Sequence, residues 1–110
     1  MKFGLKEKDL TLINEVFSAF TQLEEAVIYG SRAKGNFRPG SDIDLTLKGV
    51  EMNLDIMNKI SLALDNLMLP YIFDLSVYDH IRNPDLLEHI SRAGIIFYAK
   101  TAKLSELKTI

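Results

Sequence analysis

The stretch GSRAKGNFRPGSDIDL, residues 30–45, carries the features that decide the fold and raise the question of function. It follows the apolar run 26–29, which predicts a short strand that ends at Gly30. Three cations, three glycines and the acids Asp42 and Asp44 are crowded into it. Such crowding is typical either of a solvated loop or of a site that holds phosphates through metal ions.

From Ser41 the chain alternates between polar and apolar residues. One face would carry Asp42, Asp44 and Thr46, and the other would carry Ile43, Leu45 and Leu47. This pattern predicts a half-buried strand with carboxylates on its open side. Two carboxylates about 4 Å apart repel by roughly 4 kcal/mol at an effective dielectric of about 20. The acids must therefore splay into water, take up a proton or bind a divalent cation.

A third acid, Asp74, is predicted to lie on the same open face. Residues 71–78 form a predicted strand after Pro70, in which apolar positions alternate with Ile72, Asp74 and Ser76. An acid flanked by Phe73 and Leu75 on a hydrophobic strand needs a partner or a cation. Asp42, Asp44 and Asp74 are therefore the candidate metal ligands.

Periodic apolar residues predict the remaining elements. Helices are expected over residues 7–21 and 52–68 and from Asn83-Pro84 to Gly94, with a last strand over 95–98. Residues 100–110 are interpreted as a frayed helix or a partner contact. The order α-β-β-α-β-α-β predicts an α/β (α+β) fold, a small mixed sheet of about four strands with helices on one face.

Composition predicts an ordinary globular domain spanning residues 1–110, with its core at about 10–99. The formal net charge of -2 disfavours direct binding of a long nucleic acid, and the absence of cysteine leaves oxygen or histidine as metal ligands. No apolar stretch is long enough to cross a bilayer and no signal-peptide core follows the start. We therefore predict a cytoplasmic protein that does not contact the membrane.

Two rival motifs fail on residue identity. Gly30 and Gly35 have the spacing of a P-loop, but Asn36-Phe37 stands where Lys-Ser/Thr is required. A calcium-binding EF-hand loop starting at Asp42 would need glycine at its sixth position, which is Leu47.

The two halves of the opening stretch together resemble a known motif. Residues 30–35, Gly-Ser-Arg-Ala-Lys-Gly, are followed after five residues by Ser-Asp-Ile-Asp-Leu at 41–45. This is similar to the motif of the minimal nucleotidyltransferases in the DNA polymerase beta superfamily, usually Gly-Ser-x-Ala-Arg-Gly, a spacer and Ser-Asp-x-Asp-Leu. The departure is Lys34 for arginine, which keeps the charge but loses a forked donor. The resemblance covers about residues 10–99.

The resemblance implies a nucleotidyltransferase fold and a metal-dependent transfer of a nucleoside monophosphate, most often AMP, from ATP or another nucleoside triphosphate to an acceptor hydroxyl. The catalytic acids and ligands of two Mg²⁺ ions would be Asp42, Asp44 and Asp74. The nucleotide would be bound by Gly30, Ser31, Arg32, Lys34 and Ser41. For the cations the alternative is a solvated charge cluster, and for Ser41 it is a cap on the turn before the strand.

The resemblance also implies a partner. Minimal nucleotidyltransferases of this type pair with all-helical HEPN proteins, which act as toxins, and the acceptor would then be a tyrosine of that partner. The chain would act as the antitoxin, in a hetero-oligomer. The alternative is a non-catalytic binding module that neutralises or scaffolds a helical partner by contact; three intact acids count against it.

Overall fold

Residues 2–100 are described by a computed structural model, in which helices pack on a four-stranded sheet. The helices are α1 (Glu7–Ser18), α2 (Ser31–Lys34), α3 (Leu54–Asp65) and α4 (Pro84–Ala93). The strands are β1 (Glu25–Tyr29), β2 (Ile43–Lys48), β3 (Phe73–Val77) and β4 (Ile95–Ala99), with a 3-10 turn at Tyr78–His80. The tail predicted as a frayed helix or a partner contact lies, from residue 101 on, outside the described residues. Within residues 2–100, no helix is long and apolar enough to cross a membrane.

The two 12-residue helices, α1 and α3, form where the apolar periodicity predicts them. α1 buries Ile13 and Phe17, and α3 buries Ile60 and Leu64, because residues three or four apart lie on one side of a helix. Asn53 caps the start of α3: its Oδ1 accepts a hydrogen bond from the Ile56 backbone N–H at 2.9 Å.

The sheet has the strand order β3-β2-β1-β4, and both kinds of pairing occur in it. β1 is antiparallel to β2 and to β4, whereas β2 and β3 are parallel. A parallel pair needs a long crossover connection, and α3 supplies it between β2 and β3. The predicted fold class, a mixed sheet of four strands with helices, is confirmed.

The main core lies on the sheet face that α1 and α3 cover. Ala26, Ile28, Leu45 and Leu47 join the fully buried side chains of these helices there. The opposite face carries Glu25, Val27 and Tyr29 of β1, Asp44, Thr46 and Lys48 of β2, and Asp74 and Ser76 of β3, because directly paired residues point to the same side.

Helix α4 is the exception to the predicted one-sided packing, because it lies against the acid-bearing face. The His89 ring meets the Tyr29 ring edge-on at 6.3 Å between centroids. A Cβ added at Gly94 would come 2.8 Å from Val27 Cγ1, and Ile90 is buried beside it. β1 is therefore buried from both sides, as its uninterrupted apolar run permits.

Boundaries around the opening stretch differ from the predicted ones. β2 begins at Ile43 rather than at Ser41, so Asp42 precedes the strand. β3 occupies Phe73–Val77 inside the predicted 71–78, because the chain turns into the 3-10 segment after Val77. α2 was not predicted, since four residues are too few to show helical periodicity.

Candidate active site

The turn from β1 into α2 depends on Gly30. Its φ of 80° and ψ of −156° lie in a region that side chains disfavour, and a Cβ there would come 2.5 Å from Asp44 Oδ2. Ser31 begins α2 at this point. The first N–H groups of a helix have no intrahelical acceptor, so the amides at this start remain available to an anion. The Gly-Ser turn therefore places backbone donors directly beside an acid.

Strand pairing brings two of the predicted acids side by side. Asp44 of β2 is the direct register partner of Asp74 of β3 and, on its other side, of Tyr29 of β1. Asp44 is half-buried and Asp74 is exposed. Asp42 is exposed and stands just before β2. The structure thus pairs Asp44 with Asp74 near the starts of β2 and β3, and Asp42 lies close enough for its charge to act on Asp44.

The electrostatics of the cluster are most visible at Asp44. The pKa of its carboxyl is raised to about 6, mainly by burial and also by the nearby charges of Asp74 and Asp42 and a hydrogen bond to Asp74. Burial also raises the pKa of the Tyr29 hydroxyl, and both Asp44 and Asp74 add to this. Ionising Asp44 therefore costs free energy that a cation at this position would offset.

The donor set suits a hard divalent cation in its chemistry. Carboxylate oxygens are the ligands that Mg²⁺ prefers, and Asp44 and Asp74 already lie within hydrogen-bonding reach of each other. Across residues 2–100, however, no three His, Cys, Asp or Glu side chains are already arranged as a ligand set. The carboxylates of Asp44 and Asp74 fit such a cation in their chemistry, and Asp42 stands exposed just before β2.

Two predicted nucleotide contacts lie at the end of α2 and in the connection that follows it. The Ser41 hydroxyl accepts a hydrogen bond from the Arg38 backbone N–H at 2.9 Å, and the Ser41 N–H donates to the Arg38 carbonyl at 2.9 Å. Ser41 therefore caps this turn, which was the alternative to phosphate binding. Lys34, the last residue of α2, is exposed.

Arg32 has partners inside the protein instead of an open position. Its side chain is only 4% exposed. Nε and Nη2 donate to the Ser41 carbonyl at 3.0 and 2.8 Å, and Nη1 donates to the Phe3 carbonyl at 2.9 Å. The guanidinium lies 5.2 Å from the Phe37 ring centroid and 5.6 Å from that of Tyr71. This geometry favours a structural role in place of the predicted phosphate contact.

Sequence reasoning missed Tyr29 as a polar neighbour of the acids. Tyr29 faces Asp44 across the β1–β2 pair, and Ser76 Oγ donates a hydrogen bond to Thr46 Oγ1 at 2.9 Å on the same face. Alternation placed Thr46 and Ser76 on the polar face, but the register that joins Tyr29 to Asp44 has no local signature.

A mixed sheet with paired acids on two parallel strands, next to a glycine turn that starts a short helix, agrees with the nucleotidyltransferase fold expected from the sequence. The polymerase beta nucleotidyltransferase family model matches residues 11–103, so most of the chain is covered. The chain belongs to this family. Comparison with curated proteins found no relative.

Several solved structures share the fold. A toxin–antitoxin crystal structure with AMP-PNP aligns with a TM-score of 0.65 at 15% identity, covering 90% of this chain and 77% of that chain. A tri-AMPylated HEPN toxin of Shewanella oneidensis in complex with an MNT antitoxin gives a TM-score of 0.63 at 14% identity, covering 94% and 79%. The toxin–antitoxin MntA–HepT gives 0.61 at 14% identity, covering 93% and 79%. At these identities the likeness concerns the fold alone.

Proposed function

We propose that this protein transfers AMP from ATP to a hydroxyl group of a helical partner protein and thereby acts as the antitoxin of a toxin–antitoxin pair. The observation that carries the proposal is the direct pairing of Asp44 with Asp74 beside Gly30 in a chain of the polymerase beta nucleotidyltransferase family. The AMP-PNP complex and the AMPylated HEPN toxin among the structural neighbours support the choice of nucleotide and reaction.

The Gly-Ser turn would hold the triphosphate. Backbone N–H groups at Ser31 and the start of α2 can bind phosphate oxygens, since Gly30 leaves room for close approach. Lys34 would add a positive charge at the surface of this turn. Ser41 would contribute mainly by shaping the turn before Asp42.

The three acids would organise the transfer. Asp42 and Asp44 would hold two Mg²⁺ ions, and Asp74 would complete the set and accept the proton from the acceptor hydroxyl. When bound, these ions would neutralise the phosphate charge and make the acceptor oxygen a better nucleophile. The acceptor oxygen forms a bond to the α-phosphorus, the bond from that phosphorus to the bridging oxygen breaks, and pyrophosphate leaves.

The acceptor would be a tyrosine of a HEPN-type toxin in a hetero-oligomer with this chain. The MNT antitoxin and the MntA–HepT complex among the neighbours support this pairing. A tyrosine hydroxyl is a suitable acceptor because it can give up its proton to a carboxylate assisted by a metal ion. Because ATP and such a toxin meet inside the cell, we place the activity in the cytoplasm.

The test is transfer of label from ATP, radiolabelled in the α-phosphate, to the purified HEPN-type protein encoded next to this gene. We expect label on a partner tyrosine in the presence of Mg²⁺, and a loss of at least about 100-fold in rate for Asp42→Asn and Asp44→Asn, since each removes a metal ligand. Asp79→Asn, an exposed acid outside the site, should transfer label at the wild-type rate.

The non-catalytic alternative makes the opposite prediction. If the Asp42→Asn and Asp44→Asn proteins still neutralise the toxin while no label reaches it, the chain acts by contact and the transferase proposal is wrong.

A further inference from the structure

Arg32 holds the segment that leads into Asp42. The Ser41 carbonyl, one residue before Asp42, receives hydrogen bonds from both Nε and Nη2 of Arg32, at 3.0 and 2.8 Å. Two donors from one planar group restrict the carbonyl in direction as well as in distance. The backbone that leads into Asp42 is therefore held by Arg32, which lies in α2 directly after the Gly-Ser turn.

The same guanidinium contacts the segment that leads into Asp74. It lies over the ring of Tyr71, and the Tyr71 hydroxyl donates a 2.6 Å hydrogen bond to Asp9, a buried acid of α1. Tyr71 is thus held at its ring and at its hydroxyl. The carbonyl of the next residue, Ile72, accepts a hydrogen bond from the Ile43 N–H at 2.8 Å. This bond links the starts of β2 and β3, where the acids lie.

The N-terminal turn closes over the other side of Arg32. Nη1 donates to the Phe3 carbonyl at 2.9 Å, and the Phe3 ring stacks on Phe97 of β4 at 5.7 Å between centroids. Gly4, with φ of 74°, packs so closely on the Phe37 ring that a Cβ would overlap it. The guanidinium therefore joins three separate parts of the chain: the N-terminal turn, the connection between α2 and β2, and the segment before β3.

We propose that Arg32 is a positioning residue, which sets the placement of Asp42 and Asp74 relative to the Gly30 turn by binding the Ser41 and Phe3 carbonyls between the Phe37 and Tyr71 rings. The inference rests on the proposed function, because it assigns the acids to a metal site. Arg32 acts through these backbone groups and does not touch the nucleotide. Lysine cannot replace it, since a single ammonium lacks the planar fork and the flat faces.

The experiment compares Arg32→Lys with the wild type and with Arg82→Lys, a matched change at an exposed arginine. Binding of Mn²⁺ is measured by calorimetry without nucleotide, and transfer is measured against ATP concentration. We expect Arg32→Lys to weaken Mn²⁺ binding by roughly 10- to 100-fold, as for other residues that orient metal ligands. The KM for ATP should stay near the wild-type value while kcat falls, and Arg82→Lys should change neither.

Amide hydrogen exchange separates local positioning from general stability and needs no metal. Arg32→Lys should speed exchange at the Ser41 and Ile43 amides, whose hydrogen bonds lie beside the contacts of the Arg32 guanidinium. The amides of Val27 and Leu47 in the sheet should exchange at the wild-type rate. If Arg32→Lys does not fold, Phe37→Leu, which removes one ring over the guanidinium, should show the same pattern with a smaller effect.

Three results have distinct meanings. A raised KM for ATP with unchanged Mn²⁺ binding would show that Arg32 contacts phosphate. Equally faster hydrogen exchange at all four amides would show that Arg32 is a general core residue. Either result overturns the inference. If the wild type binds no Mn²⁺ and transfers no label, the proposed function fails, and exchange at Ser41 and Ile43 alone decides whether Arg32 positions this segment.

Discussion

Gly30 and Gly35 bracket α2 and have nearly the same φ, 80° and 85°, but their surroundings differ. A Cβ at Gly30 would meet Asp44 Oδ2, whereas a Cβ at Gly35 would have no atom within 4 Å among the described residues. Gly35 is therefore needed for backbone conformation alone, and Gly30 is needed for both conformation and the close approach of the acid.

Gly30→Ala should be more damaging than Gly35→Ala. At Gly35 the left-handed backbone should cost about 1–2 kcal/mol in the free energy of unfolding. At Gly30 the backbone strain should cost about 1–3 kcal/mol. The added Cβ also displaces the Asp44 carboxylate, so transfer of label should be lost as well. Urea unfolding and the labelling assay measure the two effects. Equal losses of stability and activity in both variants would argue against contact with Asp44 as the reason for glycine.

The helices differ in which groups accept hydrogen bonds from the backbone N–H groups of their first turns. Asn53 and Asn83 cap α3 and α4 with their side-chain oxygens, and Asn83 accepts from both Asp85 and Leu86. At α1 the cap position is Lys6, whose side chain makes no such bond. α3 follows the acid-bearing β2 and carries the crossover to β3, so its start influences how the two strands are joined.

Asn53→Ala should lower the free energy of unfolding by about 1 kcal/mol, because the Ile56 N–H loses its acceptor. Lys6→Ala occupies the equivalent position of α1 and should change stability by less than about 0.5 kcal/mol, since no cap bond is lost. Chemical unfolding of both variants gives the comparison. A loss at Lys6→Ala as large as that at Asn53→Ala would contradict the assigned caps.

At the scale of the whole molecule, the sheet brings together like charges that are far apart along the chain. Asp44 faces Asp74 across a parallel pair, and the pKa of Asp44 is raised to about 6 from an ordinary value of 3.8. A raised pKa means that the folded protein holds this proton more tightly than the unfolded chain. Its stabilising contribution is therefore present below about pH 3.8 and is lost as the pH rises through about 6.

Asp44→Asn should consequently melt at a higher temperature than the wild type above pH 6 without metal, and the difference should close toward pH 4. Because Asp44 is only half-buried, solvent screening limits the gain to on the order of 1 kcal/mol, or roughly 4–8 °C in Tm. Mg²⁺ should reverse the order, since it stabilises only the charged site. Melting curves at several pH values, with Asp79→Asn as control, measure this. A pH-independent difference would contradict the repulsion.

The placement of Asp44 and Asp74 on one face of the sheet was predictable because strand alternation is local. A period of two placed Asp44 and Thr46 on one face of β2, and the same rule placed Asp74 and Ser76 on one face of β3. The partners of Arg32 were not predictable, because Phe3 and Tyr71 are distant in sequence and only folding brings them to the guanidinium. An arginine beside a glycine turn has the same local sequence pattern whether its side chain faces solvent or the core.

The sequence by itself determined the periodic helices, the alternation that carries Asp44 and Asp74, and the two-part motif, since each depends on neighbours within a few residues. Only the tertiary structure decided the register that sets Asp44 beside Asp74 and Tyr29, the packing of α4 on the acid-bearing face and the burial of Arg32. Those outcomes depend on contacts between distant segments, whose free energy is shared across the whole core and has no local pattern.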